Sequence, residues 1–294
     1  MNTNILVALK NVLSLSTNEL KSIYDNASNN RANSMGDALE FYIKDLFCNT
    51  MNINDFTKKD LEYSKYLSYL GNSNNPPDFI IKNGPAIEVK KIENLSFGDI
   101  ALNSSYPKDY LYSSSTLINK ACKECESNWI KKDMIYTIGN ILNKKLRVLW
   151  LLYGDCYSAE QKTYQKMKTT IQSGVTQIQG VEFTQTKELG KVNKIDPLGI
   201  TNLRIRGMWS IKHPMKVFDY LVEDYTQETN LQIYCLILKT KYDLLPEEDK
   251  KNLEYYISDK KTLEKKYVKI KNPNNPAKYI DAVLFKASLL GSEE

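Results

Sequence analysis

Asn74–Glu93 reads NNPPDFIIKNGPAIEVKKIE, and this stretch decides the fold. Pro76 and Pro77 cannot continue a helix, so Asp78 to Ile81, rich in β-formers, reads as a strand. Asn83-Gly84 is a strong reverse-turn dipeptide, and Pro85 opens a second strand from Ala86 to Ile92. The segment is therefore a β-hairpin. Alternate residues of a strand share a face, so Glu88 and Lys90 project together while Ile87 and Val89 pack on the other side. The turn folds Asp78 back towards them.

Two carboxylates held close together repel each other unless a cation intervenes. Mg²⁺ relieves such a pair, taking one or two carboxylates together with waters and a substrate phosphate. A lysine beside them can orient or deprotonate the attacking water, which the ion makes more acidic. The helix ahead of the hairpin offers a third carboxylate. Gly36, Glu40, Ile43 and Phe47 lie along one helical face, so Glu40 shares a largely apolar surface and reads as a further acid facing the hairpin, or else as a helix-edge glutamate in water.

Outward from the hairpin the pattern alternates. MNTNILVALKNVLSLS makes an amphipathic opening helix, and Ser16 with Glu19 has capping-box spacing for a second one carrying Leu20, Ile23 and Tyr24. A longer helix over about Ser34 to Cys48, capped by Ser34 and Asp37, buries Leu39, Tyr42, Ile43, Leu46 and Phe47. Later strands fall at Arg147 to Tyr153, Val181 to Thr186, Leu203 to Trp209 and Leu231 to Lys239. The first and last of these are almost continuously apolar, as central strands covered on both faces are. Helical patterns lie between and after them at Ala159 to Ile171, Met215 to Val222 and Pro246 to about Tyr256, and Tyr279 to Leu290 forms a last strand or helix. No internal repeat or linker is visible, so the expectation is one α/β domain over 1–294. Its catalytic core would span about 30–155, with recognition and peripheral elements over about 156–294.

The composition closes off other chemistries. The chain has 294 residues, 42% of them hydrophobic and 26% charged, with a net charge of only +5. It can bury a substantial core and advertises no basic tail. His213 is the one histidine, so any histidine-based catalytic dyad would have to use it, and a zinc site of the H-E-x-x-H kind cannot form. The five cysteines are an odd number with no signal peptide ahead of them, and no apolar run reaches membrane-spanning length. A cytoplasmic location with reduced thiols is expected. Cys122 and Cys125 stand as C-x-x-C without a second pair, which reads as coincidence on a lysine-rich helix and not as half a zinc site.

Proline-aspartate, followed by E-x-K with its Glu88 ten positions beyond Asp78, is the sequence form of the PD-(D/E)xK nuclease core. The bare pattern is short, but charges on strands flanked by apolar residues need a role. More of the chain then resembles one family. NRANSMGDALEFYIKDLF (Asn30 to Phe47), PDFIIKNGPAIEVKK (Pro77 to Lys91), DIALNSSYPKDYL (Asp99 to Leu111) and LRIRGMWSIKHP (Leu203 to Pro214) together resemble the NgoPII-type restriction endonucleases. The resemblance covers scattered blocks in about the first two thirds of the chain and does not extend past about Leu244. It implies a PD-(D/E)xK restriction-endonuclease-like fold, a central mixed β-sheet flanked by helices. It further implies a Mg²⁺-dependent type II enzyme acting as a homodimer on double-stranded DNA, with GGCC as the family's target and 5′-phosphate and 3′-hydroxyl ends. A cognate DNA methyltransferase would protect the host genome. Asp78, Glu88 and Lys90 take the catalytic positions, Glu40 matches the acidic helix residue, and Asp78, Glu88 and the Val89 carbonyl become the metal ligands.

Only four of the 40 basic residues are arginines, and two of them, Arg204 and Arg206, stand with His213 and one of three tryptophans in a ten-residue stretch. On one strand face, both guanidiniums would meet DNA together, since arginine bonds guanine O6 and N7 bidentately and lysine does not copy the fork. A structural ion pair on an exposed strand is the alternative. His213, before Pro214, reads as a helix cap or a phosphate contact. Asn103, Ser104, Ser105, Tyr106 and Lys108 supply donors for phosphate oxygens, or else an ordinary capped turn. Arg31 and Asn33 are placed to approach the backbone or minor groove, and Lys120, Lys123, Lys131 and Lys132 read as a solvated face. Two other functions stay open on the residues alone: a structure-specific nuclease on the same core, of resolvase or repair type, and a non-catalytic DNA-binding protein.

Overall fold

Two nearly continuous apolar strands, β7 (Lys145–Tyr153) and β12 (Leu231–Leu238), run parallel at the centre of the sheet, with Cys235 opposite Leu151. The computed structural model describes residues 2–15, 34–72, 74–179, 182–184, 186, 189–226 and 231–289. The sheet's other strands are β1 (Leu67–Tyr69), β2 (Phe79–Ile81), β3 (Ala86–Ile92), β5 (Tyr110–Tyr112), β6 (Lys131–Leu142), β13 (Leu263–Asn272) and β14 (Asn275–Leu289). The nine strands run in the order β1-β2-β3-β6-β7-β12-β14-β13, with β5 paired to the outer end of β6. Parallel pairs (β3 with β6, β7 with β12) alternate with antiparallel ones (β6 with β7, β12 with β14), so the sheet is mixed. The central mixed sheet flanked by helices is as the sequence implied. The hairpin is β2 and β3, paired antiparallel with Phe79 opposite Ile87.

Both faces of the central strands are covered. On one, helix α2 (Ser34–Cys48) buries Leu39, Tyr42, Ile43, Leu46 and Phe47, the five positions its periodicity singled out. Helix α1 (Ile5–Ser14) packs beside it. Thr3 Oγ1 donates to the Phe47 carbonyl at 2.5 Å and Asn11 Nδ2 to the Leu46 carbonyl at 2.7 Å, satisfying groups that a helix C-terminus leaves open. On the other face Trp150 stacks on Tyr234, with ring centroids 4.7 Å apart, and on Phe218 at 5.8 Å.

Several expectations shift. The strand expected over Leu203 to Trp209 is two short ones, β10 (Leu203–Ile205) and β11 (Trp209–Ile211), separated by Arg206 to Met208. β10 completes a three-stranded sheet with β9 (Gly190–Asn193) and β8 (Glu182–Thr184), while β11 pairs with β4 (Ile100–Asn103). Met215 to Val222 resolves into a one-turn helix, Pro214–Val217, and a 3-10 turn. Helix α3 (Phe56–Tyr66) leads into β1, and α4 (Gln161–Thr176) stands at the position of the Ala159 to Ile171 pattern. The last segment is strand β14. The capping-box helix after Ser16, with Leu20, Ile23 and Tyr24, lies outside the described residues.

Candidate active site

The hairpin's acidic end opens on a cleft of about 350 Å³ lined by Asp78, Glu88, Lys90, Asn103, Ser105 and Arg204, among others. Its register sets Glu88 beside Tyr136 and Lys90 beside Ile138, on the sheet face that carries Trp150. Asp78 sits one residue before β2, its N–H bonded to the Ile87 carbonyl at 3.0 Å. From Glu88 onward β3 has outrun β2, so the Val89 N–H is open to that edge, and it donates to Asp78 Oδ2 at 2.6 Å. An extended residue directs its N–H and C=O to the same edge, so the Val89 carbonyl also faces the Asp78 side.

Glu88 is buried, and its Oε1 accepts from Lys90 Nζ at 2.7 Å. Its Oε2 is buried without a hydrogen-bond partner, a costly state that an incoming cation or donor relieves. Burial and then the Glu88 charge push the Asp78 carboxyl up to about 8, against the pull of Lys90 and the Val89 N–H. Burial pulls Lys90 down, but the Glu88 and Asp78 carboxylates outweigh it and hold its ammonium above the usual range. The site thus holds two crowded carboxylates and a lysine that stays charged.

Glycine at position 71 makes the approach to Asp78 possible. Its φ is +88°, and a Cβ there would lie 2.1 Å from the Asp78 carbonyl oxygen. Gly71→Ala is expected to destabilise the fold by about 1–3 kcal/mol, through strain and displacement of Asp78. Cleavage should fall with it. A variant whose thermal midpoint and cleavage rate both match the wild type would contradict this placement.

Glu40 is less central than the helix pattern suggested. Its Oε1 accepts from Lys44 Nζ at 2.6 Å, and Lys44 also donates to the Leu70 carbonyl at 3.0 Å. Glu40 still raises the Asp78 carboxyl through its charge, as the weakest of the influences named. Among the described residues no three acidic, histidine or cysteine side chains converge to hold a metal.

Of the DNA-contact candidates, Asn103, Ser104, Ser105 and Arg204 line the cleft. Arg204 lies on β10 opposite Lys191, and Arg206 is exposed one residue past the strand's end. Three candidates are buried instead. His213 is fully buried, with Nδ1 accepting from the Met215 N–H at 3.1 Å and Nε2 3.0 Å from Asn140 Oδ1. Burial holds its imidazole down at about 4, so it is a helix cap and not a phosphate contact. Tyr106 packs against Tyr164 and Trp209. Lys108 lies beneath the cleft, its Nζ bonded to Ser105 Oγ and to the Tyr106 carbonyl, and burial pushes its ammonium down to about 8. Arg31 and Asn33 lie outside the described residues.

Some contributors were not foreseen. Asn72, Asn75, Thr116 and Leu117 also line the cleft, and Asn75 Nδ2 donates to the Leu117 carbonyl at 3.0 Å. The asparagine run before Pro76 was the one available signal; Thr116 offered none. Lys132, read as solvated, is buried. Its Nζ bonds Glu126 Oε2 at 2.6 Å and the Gly84 carbonyl at 3.2 Å, while Glu126 Oε1 accepts from the Asn83 N–H at 3.0 Å. The pair clamps the turn of the acidic hairpin.

A mixed sheet carrying an acidic hairpin at the mouth of a cleft is the architecture of the restriction-endonuclease-like nucleases. Comparison with known proteins gives the family. The model of the family described as NgoPII restriction endonuclease matches residues 3–271. The chain is also 44% identical to the type II restriction enzyme NgoPII of Neisseria gonorrhoeae over 279 residues, 93% of this chain and 96% of the relative. No solved structure matches it. The chain belongs to the NgoPII restriction endonuclease family, and it is a type II restriction endonuclease, an enzyme whose substrate is DNA. The match runs well past Leu244, where the sequence resemblance ended, and takes in β13. No helix among the described residues is long and apolar enough to cross a membrane.

Proposed function

We propose that this enzyme cleaves double-stranded DNA at the palindrome GGCC by Mg²⁺-dependent phosphodiester hydrolysis, leaving 5′-phosphate and 3′-hydroxyl ends. The observation that carries the proposal is the pairing of Asp78 and Glu88 on one face of the cleft, with Glu88 Oε2 buried and unpartnered. Such a pair fits a hard divalent ion, which binds through one or two carboxylates. Asp78, Glu88 and the Val89 carbonyl would hold it. Once bound, the ion supplies Lewis-acid polarisation of the phosphate and makes water a better nucleophile.

The chain's own groups do the rest. Lys90, charged and fixed against Glu88, orients the attacking water and stabilises the negative charge that develops on the phosphate oxygens. Glu40, through its charge and its pair with Lys44, tunes Asp78. Asn103, Ser104 and Ser105 bond phosphate oxygens and set register without reading sequence, and Lys108 holds the Ser105 hydroxyl at the cleft wall. Arg204, on the same wall, reaches guanine or an adjoining phosphate. Arg206, exposed nearby, contacts the backbone, and Arg31 and Asn33, outside the described residues, are candidates for the backbone or minor groove. A palindromic target fits a two-fold homodimer that presents one such cleft to each strand. The enzyme then works in the cytoplasm beside a DNA methyltransferase that protects the same site.

Incubating the purified protein with unmethylated plasmid, with and without Mg²⁺, tests this. Discrete fragments whose ends map to GGCC, formed only with the metal, are expected. Ends at another palindrome would replace the target alone. Cutting confined to branched DNA would make the enzyme structure-specific, and binding without any cutting would remove the catalytic assignment.

A further inference from the structure

Helix α4 stands outside the core that explains the other long helices: none of its sixteen residues is buried. A long helix with no buried face is either a solvated strut or an element waiting for a partner. Gln165, Lys168, Thr169 and Gln172 fall at i, i+3, i+4 and i+7, forming one polar stripe. With Thr116 and Leu117 this stripe borders an open space of about 600 Å³. Thr116 and Leu117 are also walls of the cleft that holds Asp78, Glu88 and Lys90. The acidic hairpin and the helical stripe therefore border neighbouring spaces that share Thr116 and Leu117 as walls.

The helix is held stiffly at its first turn. Tyr164 stacks on Tyr106 with centroids 5.6 Å apart and planes at 16°, and meets Trp209 edge-on at 5.7 Å. The Tyr164 hydroxyl accepts from the Ala159 N–H at 3.0 Å, and Gln161 Nε2 donates to the Tyr106 hydroxyl at 3.2 Å. Tyr106 directly follows Ser104 and Ser105 of the cleft wall, so the stripe and the cleft are fixed relative to each other.

We infer that α4 is the element that reads the target, laying the stripe of Gln165, Lys168, Thr169 and Gln172 into the major groove beside the cleft. The dimensions agree: an α-helix is about 10–12 Å across with its side chains and the groove is about 12 Å wide. Gln165 to Gln172 spans about 10 Å along the axis, or about three base-pair steps. The chemistry agrees as well. Lys168 offers donors to guanine N7 and O6, and a glutamine amide both donates and accepts, so it can take the cytosine amino group. This assignment rests on the proposed endonuclease function, and it places base reading mainly on α4 and not on Arg204 alone.

The test uses the full-length protein and the site mapped from wild-type digestion. Binding is measured without metal to a duplex carrying that site and to a scrambled duplex of equal length, for wild type, Lys168→Ala, Gln172→Ala and Lys166→Ala. Lys168→Ala and Gln172→Ala are each expected to lose about 10- to 100-fold in affinity for the site, and far less for the scrambled duplex. Lys166→Ala, off the stripe, should bind both duplexes as wild type does. Replacing the site's guanines by 7-deazaguanine should weaken wild type but add little to the loss in Lys168→Ala, because the two changes remove one contact. Equal losses on both duplexes would reduce the stripe to phosphate contacts, and no loss would make α4 a solvated strut; either overturns the inference. Lys166, Lys168 and Gln172 are each at least partly solvent-exposed, so thermal midpoints close to that of the wild type should accompany these effects. Failure of the endonuclease proposal appears separately, in the wild-type fragment map.

Discussion

Lys90→Ala is expected to slow DNA cleavage by about a hundred- to a thousand-fold, the effect of removing one fixed donor from a developing oxyanion. The expectation follows from how the side chain is held. Lys90 shares its strand face with Glu88 and bonds Glu88 Oε1 at 2.7 Å, its side chain only 21% exposed. Glu88 foremost, with Asp78 adding to it, holds the Lys90 ammonium above its usual range against burial, so Lys90 contributes positive charge and donors and does not begin the reaction as a base. Its removal also leaves Glu88 as an uncompensated buried carboxylate, which lowers the thermal midpoint without metal. Added Mg²⁺ should restore much of that midpoint but not the rate. Lys90→Arg should not rescue turnover, because a planar guanidinium does not reproduce a compact ammonium in a confined site. Single-turnover cleavage, alongside binding to the same duplex, checks this. Near-wild-type cleavage by Lys90→Ala would remove the residue from the catalytic set, whereas lost binding with normal cleavage at saturation would make it a DNA contact.

What the sequence disclosed about this site depended on how local each feature is. The hairpin was legible because its determinants lie within twenty residues: two prolines, an Asn-Gly turn and alternating apolar positions. β7 and β12 were legible because strands buried on both faces become unbroken apolar runs. β6, which neighbours the acidic strand, was not. Its first residues, Lys131 to Asp133, pair with β5 and carry charge, and Gly139-Asn140 interrupts its apolar run. β13 was hidden for a related reason, since LEKKYVKIKN at the sheet edge buries only Leu263 and Ile270 and reads as a solvated lysine segment.

The DNA-facing candidates divided along the same line. Arg204 was found by composition, an arginine persisting in a lysine-heavy chain, and it does line the cleft. His213 and Lys108 drew notice because of residue type, yet tertiary packing set them inside. Asn140, Ser105 and the Tyr106 carbonyl occupy their polar atoms, and no local pattern could have named those partners. The Glu126–Lys132 clamp is equally non-local, since it reaches across about forty residues to the hairpin turn. What a single sequence conveys well is the chemistry of a strand pair, and what it withholds is the scaffold that aims it.

Asp78→Asn should separate stability from activity in opposite directions. The Asp78 carboxyl is raised from 3.8 to about 8, by burial first and then by Glu88. Between those values the folded protein keeps a proton that the unfolded chain has released, so the stability tied to this group is complete below about pH 4 and is lost as the pH rises through about 8. Asparagine keeps the shape and can still accept from the Val89 N–H but cannot ionise. Without metal, the variant is therefore expected to melt above the wild type, by a margin that widens from about pH 4 and levels off above about pH 8. The limit is on the order of several kcal/mol, since every tenfold difference in proton affinity between the folded and unfolded chain is worth about 1.4 kcal/mol. Cleavage should fall below detection at every pH, because a neutral amide does not replace an ionised metal ligand. The same proton links the site to its cation. Mg²⁺ requires the ionised carboxylate, so its binding to wild type below about pH 8 must displace a proton and weaken as the pH falls. Calorimetry at pH 7 in two buffers of different ionisation enthalpy measures that release directly. A fraction of a proton or more leaving wild type, and none leaving Asp78→Asn, is the expected result. Metal binding with no proton exchange in wild type would mean that Asp78 is already ionised in the empty site, and the crowding of Asp78 against Glu88 would then be too weak to select for a cation.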